Sequence, residues 1–547
     1  MKSRVETIAS VLLVSLGFAS IAMQVQGQQP TPHVTIDPTT LPRLASVDER
    51  YQSYNVEMAE VIGGKFWKPY DTTTLAVLRA KASGSSGGGA SGGTSPGKVG
   101  VDTSIYQARP PIDLANPRLR KLAAALGPAY VRVSGSWANS VYFHDSASAA
   151  PHAAPAGFDG VLTRRQWAGV IDFARAVNAE LMTSFAISTG VRDASGVWTP
   201  VQARELIAYT HAIGGRISAA EMFNEPNMPA YAGAPPGYDA AAYAKDVAAF
   251  ERFVRSVAPA MRIAGPGSVG EGILMPLLGT AFMPGYVSTE AMMTASPRPV
   301  FDIFSYHTYP AVSIRCAAMG RGAQTTPEMA LSEEWLSQTD RSYAYYVTGI
   351  RDRLLPGKPV WITETADAAC GGNPWANSFL DTFRYLDQMG RLARRGVDVI
   401  FHNTLASSEY GLLDQNTFIP RPNYWAALFW RQLMGTTVLD AGPSREGLHL
   451  YAHCLRGRAG GVALLVINNS RTQATAIQMA RPSERFTLSA HPLESTEIAL
   501  NGAPLALGAN DALPVFRGLQ VAAGQMTFAP GTITFVAVPS AGNPACS

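Results

Sequence analysis

Two carboxylates stand where a proton transfer and a nucleophilic attack would need them. Glu225 lies in AAEMFNEPNMP (219–229), between Asn224 and Pro226, just past a short strand-like run. Glu364 closes VWITE (360–364) and is followed by TADAACGG. Either acid alone reads most simply as a surface or salt-bridge residue. Two of them, each at the end of a strand, read as a pair of carboxyls placed across a bond, which is what hydrolysis of a glycosidic linkage requires. About 5–5.5 Å between them lets one attack the anomeric carbon while the other protonates the leaving oxygen; a gap of about 6.5–9.5 Å admits a water and gives inversion. His307 and His402 read as hydrogen-bonding wall residues. The cysteine spacings match no zinc pattern, so neither metal nor cofactor is expected.

Such a pair needs a scaffold that brings distant strand ends together. From Tyr51 to about residue 433, short β-branched or aromatic runs alternate with stretches of helical period. The strand candidates are YQSYNVE (51–57), AYVRVSG (129–135), ELMTSFAIS (180–188), ISAAEMF (217–223), RIAGPG (262–267), FDIFSYH (301–307), VWITE (360–364) and VDVIFHN (397–403). A helix is expected over 199–215, with Thr199 as its cap and Pro200 in its first turn. This alternation predicts a (β/α)8 barrel over 51–433 whose strand C-termini share one mouth. A doubly wound sheet would show a Gly-rich first turn, which is missing.

Beyond about Leu433 the texture changes to LHLYAHC, GGVALLVINN, RFTLSA, STEIALNG and TITFVAVP, strands set between Gly, Pro and Asn turns. They predict a β-sandwich over 434–547, to which the segment 28–50, with HVTIDP at 33–38, adds a strand. Residues 82–98, ASGSSGGGASGGTSPGK, are Gly/Ser-rich and read as a long loop within the barrel. At the N-terminus, Lys2 and Arg4 precede an apolar run from Ile8 to Met23 and the small-residue site Val25-Gln26-Gly27. That is the pattern of a secretory signal peptide over 1–27, so an exported protein, periplasmic or extracellular, with no membrane span after cleavage is expected. Export permits disulfides among Cys316, Cys370, Cys454 and Cys546, for which three pairings exist. With 44 basic against 41 acidic residues and no basic, aromatic-laced stripe, nucleic acid is excluded as a partner.

Several separate blocks carry a family resemblance: LRKLAAALGPAYVRVSGSWANSVYF (119–143), AEMFNEPN (220–227), ITETADAACGG (362–372) and SSEYGLLDQNTF (407–418). Together they resemble the clan A retaining glycosidases and, more narrowly, glycoside hydrolase family 79, which holds β-glucuronidases and heparanases. The resemblance implies a β-glucuronide or glucuronic-acid-containing glycan as substrate, Glu225 as acid/base and Glu364 as nucleophile. It implies that Tyr309 supports the nucleophile and that Arg132 fixes its charge; a structural ion pair is the other reading of Arg132. Asn224, Glu57, Ser136 and Asn403 fall at sugar-contacting positions. Gly371, Gly372 and Tyr410 match positions that bind the uronate carboxylate. Here the chain departs from the animal members: Cys370 stands where they carry a tyrosine, one residue further from Glu364. The resemblance also implies a Cys454–Cys546 disulfide. Cys316 and Cys370 fall on the loops after the sixth and seventh strands, neighbours in a barrel, and form the second expected bridge. A clan A enzyme acting on a neutral β-glycan, and a non-catalytic carbohydrate-binding protein on the same barrel, are the alternatives.

Overall fold

A computed structural model describes residues 34–83, 105–279, 283, 285–319 and 321–547. The expected signal peptide and the Gly/Ser-rich stretch from residue 84 onward lie outside the described residues, while Ala82 and Ser83 close a helix, Thr72–Ser83. Eight parallel strands close into a barrel: β1 (Gln52–Glu57), β2 (Ala129–Ser134), β3 (Ala179–Thr183), β4 (Ile217–Glu221), β5 (Arg262–Val269), β6 (Ile303–Thr308), β7 (Val360–Thr365) and β8 (Val399–His402). All eight match the runs read from the sequence, with shifted ends. β3 stops at Thr183, and 184–188 form a loop in which the Phe185 amide donates to the Met222 carbonyl. The helix expected over 199–215 runs from Val201 to Ala212. Pro200 takes the cap position, and the Thr199 hydroxyl donates instead to the Val191 carbonyl at 3.0 Å.

Inside the barrel the side chains stack in layers. Tyr130, Met182, Ala219, Ala264, Ile303, Trp361, Val399 and Phe401 fill the bottom. One step up, Arg132, Glu221, Ser305 and Thr363 replace them with a buried, hydrogen-bonded polar layer. The period of two along each strand dictates this change of layer, and the polar layer forms the floor of the mouth.

The C-terminal strands build a nine-stranded sheet and a three-stranded one. Val34–Ile36 joins the small sheet, parallel to Thr475–Met479, and Arg43–Ser46 joins the large one, antiparallel to Met434–Leu439. Val462–Asn468 and Thr532–Val538 are buried on both faces. Val462, Leu464 and Val466 face the small sheet, whereas Ala463, Leu465 and Ile467 pack with the barrel's helices. This two-sided burial explains why these strands are continuous apolar runs rather than alternating ones. No helix among the described residues is long and apolar enough to cross a membrane.

Candidate active site

β4 ends at Glu221, and the chain then turns so that Glu225 sits with φ of 53°, a left-handed conformation that L-residues with a side chain seldom adopt. Such strain costs of order 1–3 kcal/mol and persists only where surroundings enforce it. Here Asn139 enforces it. Its Oδ1 accepts from the Asn224 amide at 2.9 Å, and its Nδ2 donates to the carbonyls of Asn224 and Ala232, both at 2.9 Å.

Glu364 reaches the mouth by a different device. Along β7, Trp361 and Thr363 point inward, so strict alternation would aim Thr365 inward next. The ladder instead pairs Tyr306 with Ile362 and His307 with Glu364, leaving Thr363 as an extra residue. This bulge puts Thr363 and Glu364 both inside, while the Thr365 hydroxyl turns outward to Gln388 on a covering helix, Phe379–Arg394.

The two acids converge. One oxygen of Glu225, one of Glu364 and a ring nitrogen of His307 all lie within 4.8 Å of one another. Glu364 collects donors: Arg132 Nη1 at 3.0 Å, the Tyr309 hydroxyl at 2.5 Å and Asn403 Nδ2 at 3.5 Å. Arg132 is fully buried and also donates to Glu221 Oε2 and, at 2.7 Å, to Asn224 Oδ1. Burial alone would raise the Glu221 carboxyl, but Arg132, His307 and the hydroxyls of Thr363 and Ser305 outweigh it and hold it below the usual range. With Oδ1 occupied, Asn224 turns its Nδ2 toward Ser136 Oγ, 3.4 Å away.

Arg132 Nη2 also faces His307 Nε2 at 3.3 Å. A guanidinium only donates, so that nitrogen is the acceptor and Nδ1 carries the hydrogen. Nδ1 lies 3.2 Å from Glu225 Oε1 and 3.8 Å from Glu364 Oε2. Burial pulls the ring down to about 4, Arg132 in the same direction and Glu364 against it, so the imidazole is neutral at ordinary pH. Its lone pair is turned away from the acids, an arrangement unsuited to holding a metal between them.

The acids open into a cleft of about 1020 Å³, counted with its mouth and lined by Glu57, Ser136, Tyr309, Asn403 and Tyr410 among others. Burial pushes Glu57 well above the carboxylate range, and Glu364 adds to it. Gly135 touches this side chain: a Cβ there would lie 1.7 Å from Glu57 Oε2. Asn403 Nδ2 donates to the hydroxyls of both Tyr309 and Tyr410. Trp67, Tyr106 and Trp137 pack edge and face on one another as an aromatic wall.

The glycine pair is placed less directly than the others. Cys370, Gly371 and Gly372 all have positive φ, at 65°, 81° and 82°. Cys370 lines the cleft; Gly371 and Gly372 stand behind the lining, and the Gly372 amide is spent on the Ala368 carbonyl at 3.2 Å. The carbonyls of Cys370, Gly371 and Gly372 converge on one guanidinium, that of Arg315, which also binds the Lys68 carbonyl and Glu409 and stacks on Tyr70. Disulfides join Cys316 to Cys370 and Cys454 to Cys546, and the first lines the cleft. His402 stays in the wall, its Nε2 2.7 Å from the Tyr410 carbonyl.

Sequence reasoning missed Glu221, Asn139, Arg315 and Glu409. A charge inside the apolar run ISAAE was the available signal for Glu221, since a buried acid demands a partner. Arg315 and Glu409 carried no local signal.

The chain resembles known proteins along much of its length. It is 28% identical over 379 residues to heparanase-like protein 1 of Arabidopsis thaliana, covering 66% of this chain and 65% of that protein. It is 30% identical over 228 residues to baicalin-β-D-glucuronidase of Scutellaria baicalensis, covering 40% of this chain and 43% of that one. These matches thus span less than two thirds of either relative. Among solved structures, a 4-O-α-L-rhamnosyl-β-D-glucuronidase from Fusarium oxysporum shares the fold with a TM-score of 0.56 at 14% identity, covering 91% of this chain and 99% of that one. The description of the glycosyl hydrolase family 79 N-terminal domain matches residues 110–390, the stretch that carries β2 to β7 and both acids, and the chain belongs to glycosyl hydrolase family 79.

Proposed function

We propose that the protein is a retaining β-glucuronidase that removes a terminal β-D-glucuronosyl residue by double displacement. The observation that carries this is the close approach of Glu225 and Glu364: one oxygen of each lies within 4.8 Å of the other, closer than the gap of an inverting pair that must admit a water. In the first step the Glu364 carboxylate attacks the anomeric carbon. The bond to the leaving oxygen breaks with its electron pair, and that oxygen takes the proton from Glu225. In the second step Glu225, now a carboxylate, takes a proton from water as the water oxygen displaces Glu364, giving free glucuronic acid of retained configuration. Arg132, Tyr309 and Asn403 donate to the nucleophile and fix its orientation. Asn224 and Ser136 stand ready for the sugar's 2-hydroxyl, and Glu57 for hydroxyls further round the ring.

The uronate carboxylate is proposed to sit against Tyr410 and Cys370, with Gly371 and Gly372 shaping the turn from behind the lining. Three consecutive positive-φ residues form a backbone nest of the kind that binds anions. The carbonyls of 370–372 are drawn back onto Arg315, and among the described residues none accepts from the amides of Cys370 or Gly371. Gly372 supports the turn rather than the anion. Exo action is favoured by stitching along the glycone side, where Lys68 and Tyr70 are tied to Arg315, Glu409 and Gly372. The names of the two relatives, a heparanase-like protein and a β-glucuronidase, agree with this substrate class. Two disulfides support the expected export.

The test compares p-nitrophenyl β-D-glucuronide with the corresponding glucoside, and follows the first-formed anomer by NMR. Preference for the glucuronide by about 100-fold or more in kcat/KM, with the β-anomer formed first, is expected. A faster glucoside reaction would point to a neutral glycan, and full activity in Glu364→Gln would end the double-displacement scheme.

A further inference from the structure

We infer that the leaving-group side of the cleft is built for an uncharged, apolar aglycone and not for a sulfated or otherwise anionic glycan. The inference rests on the glucuronidase reading, because it uses the position of the acid. A proton donor must face the leaving oxygen, so the aglycone lies on the side of Glu225, which follows β4. In the closed barrel β4 neighbours β5, whereas β8 and β1, which carry Asn403 and Glu57, lie across the mouth. The sugar ring and the aglycone are therefore divided between opposite halves of the cleft.

On the Glu225 half, the lining side chains besides Glu225 itself, at and beyond the ends of β4 and β5, are Met228, Tyr231, Val269, Leu274 and Met283. None carries a charge. Across the whole lining, the acids are Glu57, Glu225 and Glu364, and among the described residues no Lys, Arg or His stands beside them. The sequence extends the point past the lining. Residues 222–239, after β4, contain no Lys or Arg, and neither do residues 263–297, which run from β5 to the approach of β6. Recognition of sulfate or carboxylate groups needs cationic donors. Bringing a polyanion against this surface would desolvate its charges without partners. Met228 and Tyr231 are only partly buried and so are open to contact. A thioether and a phenol ring give an adaptable apolar surface suited to a hydrocarbon or aromatic group.

The experiment uses methyl and n-hexyl β-D-glucuronide, whose alkoxide leaving groups are equally poor, so that a difference reports contact and not leaving-group acidity. The hexyl compound is expected to show kcat/KM about tenfold or more above the methyl one, as burial of two added methylenes supplies. Met228→Ser should cut that ratio at least about threefold. Heparan sulfate hexasaccharide, offered in parallel, should be turned over more slowly than the hexyl compound. Turnover of both alkyl glucuronides with equal kcat/KM, or faster cleavage of the hexasaccharide, overturns the inference while leaving the glucuronidase reading intact. Failure to turn over any glucuronide overturns that reading, and this inference with it.

Discussion

His449 offers the sharpest quantitative test of how the C-terminal strands are held to the barrel's helices. It opens the sandwich strand His449–Leu455 and is fully buried against the barrel. Its Nδ1 lies 2.6 Å from Asp387 on the helix Phe379–Arg394, and its Nε2 lies 2.9 Å from Glu333 on the short helix Glu333–Leu336. Both ring nitrogens face carboxylates, so both must carry hydrogens, which makes the ring an imidazolium. Burial opposes that charge. Asp387 and Glu333 outweigh it and raise the ring from an ordinary 6.5 to about 9, while Asp387 is held down to about 2. The two displacements are one attraction seen from either partner and are counted once. A group raised on folding stabilises fully below its unfolded pKa and loses its contribution as pH climbs through the folded one. The window therefore runs from about pH 6.5 to 9, and at about 1.4 kcal/mol per unit the ring contributes roughly 3 kcal/mol at its lower end. Urea unfolding of the wild type and of His449→Gln at pH 6 and pH 9.5 isolates this, because other groups titrating near pH 9 cancel in the difference. The wild type should lose roughly 3 kcal/mol more than the variant between the two conditions. Parallel curves would refute a charged histidine at this junction.

Other outcomes follow from the site. Tyr309→Phe removes the 2.5 Å hydrogen bond to Glu364 and should lower kcat on an aryl glucuronide by roughly 10- to 100-fold, the worth of a hydrogen bond to a charged group, with the fold intact by circular dichroism. Arg132→Met leaves Glu221 and Glu364 buried without their cation, and thermal unfolding should report a loss of about 3–5 kcal/mol. Gly135→Ala drives a methyl into Glu57, and glucuronide KM should rise at least about tenfold in steady-state assays. His307 gains its charge only as pH falls toward about 4, so its neutral hydrogen-bonding arrangement is complete above that value and is lost below it. The acid limb of kcat/KM should therefore steepen near pH 4 in the wild type and not in His307→Asn.

The barrel was legible because short β-branched or aromatic runs alternate with stretches of helical period, and the sandwich strands Val462–Asn468 and Thr532–Val538 were legible as continuous apolar runs. The strands Thr475–Met479 and Gly524–Phe528 escaped notice. They are short, hold Gln and Thr, and become strands mainly by pairing with each other across about 50 residues. STEIALNG shrinks to the two-residue strand Ala499–Leu500 for the opposite reason: its alternation is right but the ladder it joins is brief. At the site, residue type and position after a strand were enough to single out Glu225 and Glu364. Alternation from Trp361 would have aimed Thr365 at the mouth and Glu364 away from it, so the bulge that corrects this was invisible in the pattern. Arg315 was invisible for a different reason. Its role is to gather three carbonyls from a loop some 55 residues away, and no local spacing encodes that.

The arrangement also explains why two acids so close together are suited to unlike tasks. Glu364 is met by a guanidinium, a phenol and a carboxamide, three donors that hold its oxygens in place. Glu225 faces a histidine kept neutral by burial, with the guanidinium that serves Glu364 acting in the same direction. Were His307 charged, the mouth would hold a second cation beside Arg132, facing both acids. Arg132 therefore acts twice, through its charge on Glu364 and through the tautomer it selects at His307. Glu221 beneath the site is what makes that affordable, since it pairs the buried guanidinium whichever way the acids above are protonated. Replacing Glu221 by Gln, which touches neither reacting acid, should on this argument alter the pH dependence of kcat as well as stability. An unchanged pH profile in a folded Glu221→Gln protein would show that the two levels of the barrel are electrostatically independent.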